Sequence, residues 1–250
     1  PQMSGRKMSS FDIAMVEKDI ADLQKYNTNV VFIRDESFAT HPKFEEVVKL
    51  YGNAGFDVLY SFGTAAALTD KKIEILKNNN WHSLCLGLED VATSYKKNKT
   101  LESVSEKLLE ANIGLTLSFI VNDANKSISD ITENYKNLTK AFFHLKPIMV
   151  CANFFMPLPG TKLGDAPENQ VSSAMWKYFD SKTPIFTTEE IQLLHRKLAV
   201  AVQLNWYYSK EYKQIRNFEK GDTLHLRMVE LAKSFGFENG IPNDIKKLIE

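Results

Sequence analysis

From Phe11 to Leu163 the chain alternates between segments whose apolar residues recur at helical spacing and short apolar runs bounded by turn residues. Recurrence of that kind signals strand–helix units, and parallel strands joined by crossover helices are the economical way to build them. The pattern predicts a helix from about Ser10 to Tyr26, with Ile13, Val16, Ile20 and Leu23 on one face, then a strand at Val30–Ile33. Further helices are expected at Lys43–Asn53, Asp70–Asn78, Leu101–Ala111 and Ile128–Phe143. Strands are expected at Asp57–Ser61, Ser83–Leu88, Gly114–Val121 and Met149–Met156. After Met156 the character changes. Thr188 is placed to cap a long amphipathic helix reaching about Tyr208, and helices at Asp222–Ser234 and Pro242–Ile249 complete a helical extension. The expected division is a strand–helix domain at 1–165 and a helical extension at 166–250 packed onto it.

With 250 residues, 44% of them hydrophobic, the chain can bury one sizeable core. Lys+Arg and Asp+Glu balance at 31 each, which gives no global field to draw nucleic acid or an anionic membrane. There is no apolar run long enough to span a bilayer, and Pro1–Ser10 is too polar for a secretory signal, so a cytoplasmic location is expected. Cys85 and Cys151, the two cysteines, lie inside apolar runs, which suits packed thiols better than a disulfide or zinc framework.

Alternation within the strands says more. In Ser83–Glu89 the leucines take one face, while Ser83, Cys85, Gly87 and Glu89 take the other. Leu115, Leu117, Phe119 and Val121 likewise oppose Thr116, Ser118 and Asn122, and Met149–Met156 repeats the split more weakly, interrupted by Asn153. Strands of a doubly wound sheet are apolar on both faces, whereas small polar residues on one face fit a barrel wide enough to admit a ligand.

Ligands of parallel strand–helix folds gather at the carboxyl ends of the strands. Those ends supply Arg34, Asp35 and Glu36; Gly63 and Thr64; Glu89 and Asp90; Asn122 and Asp123; and the loop Pro157–Thr161, stiffened by two prolines and hinged by Gly160. Each acid singly could be only a helix or turn cap. Together they would bring acidic and amide groups to one mouth.

The ordered set Val31-Phe32-Ile33-Arg34-Asp35-Glu36-Ser37-Phe38, Leu86-Gly87-Leu88-Glu89-Asp90, Lys99-Thr100, Ala111-Asn112-Ile113-Gly114 and Pro157-Leu158-Pro159-Gly160-Thr161 resembles the radical S-adenosylmethionine (SAM) superfamily. The likeness runs over roughly Gln2–Asp165 and is strongest to the branch with cobalamin-binding members. It implies an α/β fold, a partial parallel (β/α) barrel of the six-stranded, TIM-like type lacking its first strand. It also implies cofactor-binding roles for Asp35, Glu36, Phe38, Glu89, Ser118, Asn122, Asn153, Phe155 and Pro157. By the resemblance, Asp35 and Glu36 meet the methionine amino group of SAM, a cation suited to carboxylates. Glu89 meets the ribose or its neighbourhood, and the segments near Val121–Asn122 and Phe155–Pro157 pack the adenine.

The departures are as informative. Members ligate a 4Fe-4S cluster with a Cys-x-x-x-Cys-x-x-Cys loop, and no such motif occurs here. Because Pro1–Lys7 resembles the sequence that follows the third of those cysteines, the first strand and the cluster loop are expected upstream of Pro1. Asn122–Lys126 replaces the family's glycine-rich turn, and Ala65–Ala67 replaces a polar group, which points to an unusual or apolar substrate pocket. The function implied is the SAM-binding core of a radical SAM enzyme. That core would be inactive without its cluster, and its parent protein would act on a small-molecule or peptide substrate and possess cobalamin if the branch resemblance extends that far. The rival reading is a cluster-free relative acting as a SAM-binding or protein-binding module.

Other candidates are weaker. His41, His82, His144, His195 and His225 show no metal-ligand spacing and read as surface or packed residues. Trp206, Tyr207, Tyr208 and Tyr212 could line a cavity but fit a helix-packing face better. Lys210–Lys220 alternates with glutamates as a solvated helix surface does. Lys146 is the nearest candidate for the Schiff-base lysine of an aldolase-like barrel, but it precedes its strand instead of lying within it.

Overall fold

A computed structural model describes residues 12–35, 38–90, 99–121, 127–160, 164–167, 170–172, 177, 188–216 and 223–250. Among them the chain order is α1 (Ile13–Lys25), β1 (Val30–Ile33), α2 (Phe44–Asn53), β2 (Val58–Gly63), α3 (Asp70–Asn78), β3 (Ser83–Asp90), α4 (Lys99–Glu110), β4 (Gly114–Val121), α5 (Ile128–Leu145) and β5 (Met149–Phe154). Then follow α6 (Glu189–Tyr207), α7 (Lys210–Ile215), α8 (Thr223–Ser234) and α9 (Asn243–Ile249). The five strands form one sheet in the order β1-β2-β3-β4-β5, with β1 parallel to β2 and β2 parallel to β3. This is an α/β fold. Its sequential order is that of a singly wound sheet, since a doubly wound one reverses direction at a switch point.

Each of the helices α1 to α5 ends in a turn that uses the left-handed region of backbone space just before the next strand. Asn27, Gly55, Asn80, Asn112 and Lys146 all have positive φ, between 50° and 79°. Asparagine tolerates this conformation better than most side chains, and glycine adopts it without steric cost. Helix starts are set by side-chain caps. Asp12 accepts from the Ile13 amide, Thr69 from Lys72 and Thr188 from Ile191, and Ser127 and Asp130 form a reciprocal capping box. The first helix thus begins at Asp12, two residues beyond the Ser10 expected; residues 1–11 lie outside those described.

Contacts divide the chain into two compact units: Met3–Gly87 with Asn98–Ser118, and Leu88–Lys97 with Phe119–Glu250. Position 165 lies inside the second. In the first unit the core is aliphatic on the helix-facing side of the sheet. Val31, Leu59, Leu84, Leu86, Leu115 and Leu117 are buried there with Val48, Leu76, Leu101 and Leu108 of the helices. Register pairs Ile33 with Ser61 and Ser61 with Leu84, so the Ser61 hydroxyl sits in this aliphatic row, fully buried and without a hydrogen-bond partner.

The second unit is anchored by aromatic side chains with polar tips. Trp206 donates its indole N–H to the Pro147 carbonyl at 2.9 Å, and Tyr212 donates its hydroxyl to the Ile148 carbonyl at 3.0 Å. The Tyr207 hydroxyl accepts the Val150 amide at 2.9 Å. All three rings are buried and meet edge to face, so each contributes apolar burial and satisfies a backbone group at the start of β5. The helix-packing reading fits Trp206, Tyr207 and Tyr212, while Tyr208, the fourth aromatic of the cluster, is exposed. Lys146 is the left-handed cap of α5, exposed and outside β5, which removes it as a strand-borne Schiff-base lysine. Among the described residues no helix is long and apolar enough to cross a membrane.

Two stability outcomes follow from these cores. Ser61→Ala removes a buried hydroxyl that bonds to nothing, and chemical denaturation should show the variant more stable by up to about 1 kcal/mol. Tyr207→Phe strands the Val150 amide and should cost about 1–3 kcal/mol. Burial raises the Tyr207 hydroxyl above its ordinary value of 10.0, and Tyr51 is raised by burial and then by Asp19. Stability from these raised groups is complete below pH 10 and is lost as the pH rises beyond it, because the unfolded chain ionises first. Denaturation midpoints measured from pH 9 to 12 should fall less steeply in Tyr207→Phe than in the parent.

Candidate functional site

On the sheet face opposite the leucines, the first unit carries a different chemistry. Phe32 pairs with Tyr60 and Tyr60 with Ser83 across the register, while Phe62 pairs with Cys85. The Phe32 ring stacks on Tyr60 at 4.4 Å between centroids and leans on Phe62 at 4.8 Å. All three rings are half-buried, against the full burial of Leu59, Leu84 and Leu86 on the other side. Along β3 and β4 this face opens toward the carboxyl ends. Ser83 and Cys85 are buried and Gly87 is exposed; Thr116 is buried, Ser118 half-buried and Ile120 exposed. The alternation read from the sequence is therefore present, and it ends at Gly87 on β3 and at the exposed Ile120 on β4.

The aromatic side of this face was not among the residues singled out from the sequence. Its signal lay in the alternation of Val30–Ile33 and Val58–Gly63, where Phe32, Tyr60 and Phe62 share a face once the strands are paired. A stacked aromatic wall beside small polar groups suits a planar or apolar group with a few hydrogen-bonding atoms.

The turns after β1 and β2 are held by one cation. Lys72, on the first turn of α3, donates from Nζ to the Ala39 carbonyl at 2.6 Å and to the Ala67 carbonyl at 3.0 Å. Both carbonyls belong to short 3-10 turns, Phe38–Thr40 and Ala65–Ala67, that lead out of neighbouring strands. The same ammonium lies 5.6 Å above the Phe44 ring. Ala65–Ala67 is thus a clamped turn.

Of the expected ligand residues in this unit, Asp35 is exposed directly after β1, and its carbonyl accepts the Phe38 amide at 3.1 Å. Phe38 is only 2% exposed, stacked on Trp81 at 5.2 Å and edge-on to Phe44 at 5.3 Å, so its ring anchors the turn in the core. Ser118 sits on the open face of β4. Glu36 lies outside the described residues. Alongside β1, an end strand of the sheet order, runs a cavity of about 840 Å³ lined by Val30–Asp35, Phe38 and residues of α1 and α2 such as Leu23 and Tyr51.

In the second unit, Asn153 is half-buried on β5 between the buried Phe154 and the half-buried Ala152. Phe155 donates its amide to the Val121 carbonyl at 2.9 Å, which brings it beside the carboxyl end of β4, and Pro157 is buried two residues on. Gly160 has φ +78°, in the left-handed region that favours glycine, and donates its amide to the Asp165 carboxylate at 2.9 Å. The side chain of Glu89 and the whole of Asn122 lie outside the described parts. His195 is packed, 1% exposed, with its Nδ1 3.3 Å from the Tyr135 hydroxyl and its carbonyl accepting that hydroxyl at 3.1 Å. Among the described residues no group of three His, Cys, Asp or Glu side chains is placed to hold a metal ion.

No protein-family model matches the chain, and neither does any curated protein. Among solved structures it is similar to the archaeal Methanocaldococcus infernus Elp3 with an N-terminal deletion (1-46), at 16% identity and a TM-score of 0.48. The match covers 77% of this chain and 50% of that one, so the chain spans about half the length of that structure.

Lys72→Met keeps the aliphatic stem and removes both carbonyl bonds. It should destabilise the protein by about 2 kcal/mol and speed amide exchange in the segments around Phe38–Thr40 and Ala65–Ala67, read by hydrogen-exchange mass spectrometry.

Proposed function

We propose that this chain is the SAM-binding part of a radical SAM-type core. The observation that carries the reading is the sheet face of the first unit: sequential strands with aliphatic burial on one side and, on the other, small residues of β3 and β4 beside the half-buried rings of Phe32, Tyr60 and Phe62. The motif order in the sequence supplies the ligand. In this reading Asp35 and Glu36 hold the methionine amino group, Glu89 accepts from the ribose hydroxyls, and Ser118, Asn122, Asn153, Phe155 and Pro157 contribute hydrogen-bonding and apolar contacts to the nucleoside. Phe38 serves by pinning the turn that carries the two acids. Carboxylates suit an ammonium and a diol, and a half-buried aromatic face suits the reacting partner.

The iron–sulfur cluster is a different case. Cys85 on β3 and Cys151 on β5 are two thiols on separate strands, and cluster ligation by this family takes three in one loop. The residues present do not fit it, and none of this chain's chemistry is assigned to it. In the parent enzyme the cluster would cleave SAM reductively to a 5'-deoxyadenosyl radical that abstracts substrate hydrogen or leads to methyl transfer. Its ligands, and a cobalamin domain if the branch resemblance holds, are proposed for sequence beyond these residues. Among the described residues β1 is an end strand of the sheet with a cavity along it, which supports a sixth strand pairing there. We place the protein in the cytoplasm, acting on a small molecule or peptide. A second reading, a cluster-free relative that binds SAM or a protein partner, is favoured by the same shortage of cysteines.

Titration calorimetry with SAM tests the binding claim. The parent chain should bind, with Asp35→Asn and Glu89→Gln each weakening affinity about tenfold. Failure of both this chain and an upstream-extended version to bind SAM would overturn the reading. Anaerobic iron–sulfide reconstitution separates the two versions: a 4Fe-4S spectrum is expected only from the extended chain, and its absence from both favours the cluster-free relative.

A further inference from the structure

Two turns at the carboxyl ends of neighbouring strands share one side chain. Lys72 stands on the first turn of α3, where its amide donates to Thr69 Oγ1 at 3.4 Å and the Ile73 amide donates to the Thr69 carbonyl at 3.0 Å, so the helix cap fixes its backbone. Its ammonium then meets groups from two directions. The Ala67 carbonyl, at 3.0 Å, belongs to the turn that leads from β2 into α3. The Ala39 carbonyl, at 2.6 Å, and the Phe44 ring, at 5.6 Å, belong to the passage from β1 into α2. The side chain is half-buried, and there a bond from a cation to a carbonyl is stronger than one between neutral groups.

The passage from β1 to α2 is a series of short-range bonds with Asp35 at its head. The Phe38 amide donates to the Asp35 carbonyl, the His41 amide to the Phe38 carbonyl and the Phe44 amide to the His41 carbonyl, each at 3.1 Å. Each of these bonds spans three residues, so the series holds its own shape without fixing its place against β2. Ala39 lies in its middle, 2% exposed beside Phe38. Packing of the Phe38 ring on Trp81 confines the turn, but stacked rings tolerate small slides, whereas a hydrogen bond prefers one distance and direction. Lys72 therefore sets how far the Asp35 turn stands from the Ala65–Ala67 turn.

We propose that Lys72 is a positioning residue of the SAM site: by tying these two turns together it holds the Asp35 carboxylate where the methionine ammonium is bound, and it passes the ordering that SAM brings at the first turn on to the second. This role rests on the SAM reading above and gives Lys72 no contact with SAM itself. Lys72 acts on affinity only through Asp35, and the Ala65–Ala67 turn responds to a ligand that it does not touch.

Titration calorimetry is run on the full chain, or on its upstream-extended form if only that form binds SAM, as parent, Lys72→Met, Asp35→Asn and the double variant. Lys72→Met should weaken SAM binding about tenfold, and in the Asp35→Asn background the same change should cost about twofold or less, because the carboxylate it positions is gone. Hydrogen-exchange mass spectrometry gives the second readout: SAM should slow exchange at Ala65–Ala67 in the parent and not in Lys72→Met. Leu115→Val loosens the core at the amino end of β4, where the Gly114 amide donates to the His82 carbonyl at 2.7 Å, at the opposite end of the strands from both turns. It should bind SAM as the parent does. Affinity unchanged by Lys72→Met, full additivity with Asp35→Asn, an equal loss in Leu115→Val, or protection of Ala65–Ala67 that survives Lys72→Met overturns the positioning role and leaves the SAM reading standing. Failure of every form to bind SAM overturns both.

Discussion

The rows of leucine and valine on one side of β1 through β4 constrain everything else in the first unit. Each of Leu59, Leu84, Leu86, Leu115 and Leu117 is at most 3% exposed, and burial on that scale stabilises by about 2 kcal/mol per side chain. Strand pleat then leaves the alternate residues no choice of side. Ser83, Cys85, Gly87, Thr116 and Ser118 must share the opposite face with Phe32, Tyr60 and Phe62. A one-residue slip in any strand would exchange the two sets, so the same burial that holds the sheet also fixes which groups a ligand can meet.

The second unit solves a related problem by other means. The segment leading into β5 places the carbonyls of Pro147 and Ile148 and the amide of Val150 in a buried setting, where each needs a partner. Trp206, Tyr207 and Tyr212 provide one apiece from α6 and α7. Apolar area and hydrogen-bond satisfaction come from the same rings, so the cluster fixes a strand while it buries apolar surface. Polar tips on buried rings are enriched where one end must be dry and the other bonded.

Much of this was legible in the sequence, because it rests on short-range periodicity. The strands at Val30–Ile33 and Gly114–Val121, the two-faced pattern of β3 and β4, and the Thr188 cap of α6 are all properties of local sequence. What stayed hidden depends on pairing across distance. Phe32, Tyr60 and Phe62 form one wall only when β1 and β2 are set in register, and the bond of Lys72 to Ala39 spans a separation that no periodicity reveals. Phe38 is a further case. Its place in a motif suggested contact with a ligand, and its packing on the nearby Phe44 and on Trp81, distant in sequence, beside the cavity along β1 is set by tertiary contacts.

The left-handed residues before the strands give the two ends of the sheet different tolerance for change. Asn27, Gly55, Asn80, Asn112 and Lys146 each close a helix within a few residues of the following strand, so the connection has almost no slack, and an inserted residue would rotate the strand's side chains by half a turn. Connections at the opposite end, such as 34–43 and 64–69, are longer and lead into helices whose starts are set by separate interactions. Variation in length can accumulate there without disturbing strand register. A lineage built on this scaffold could therefore diversify what it recognises at one rim while the other stays fixed in length.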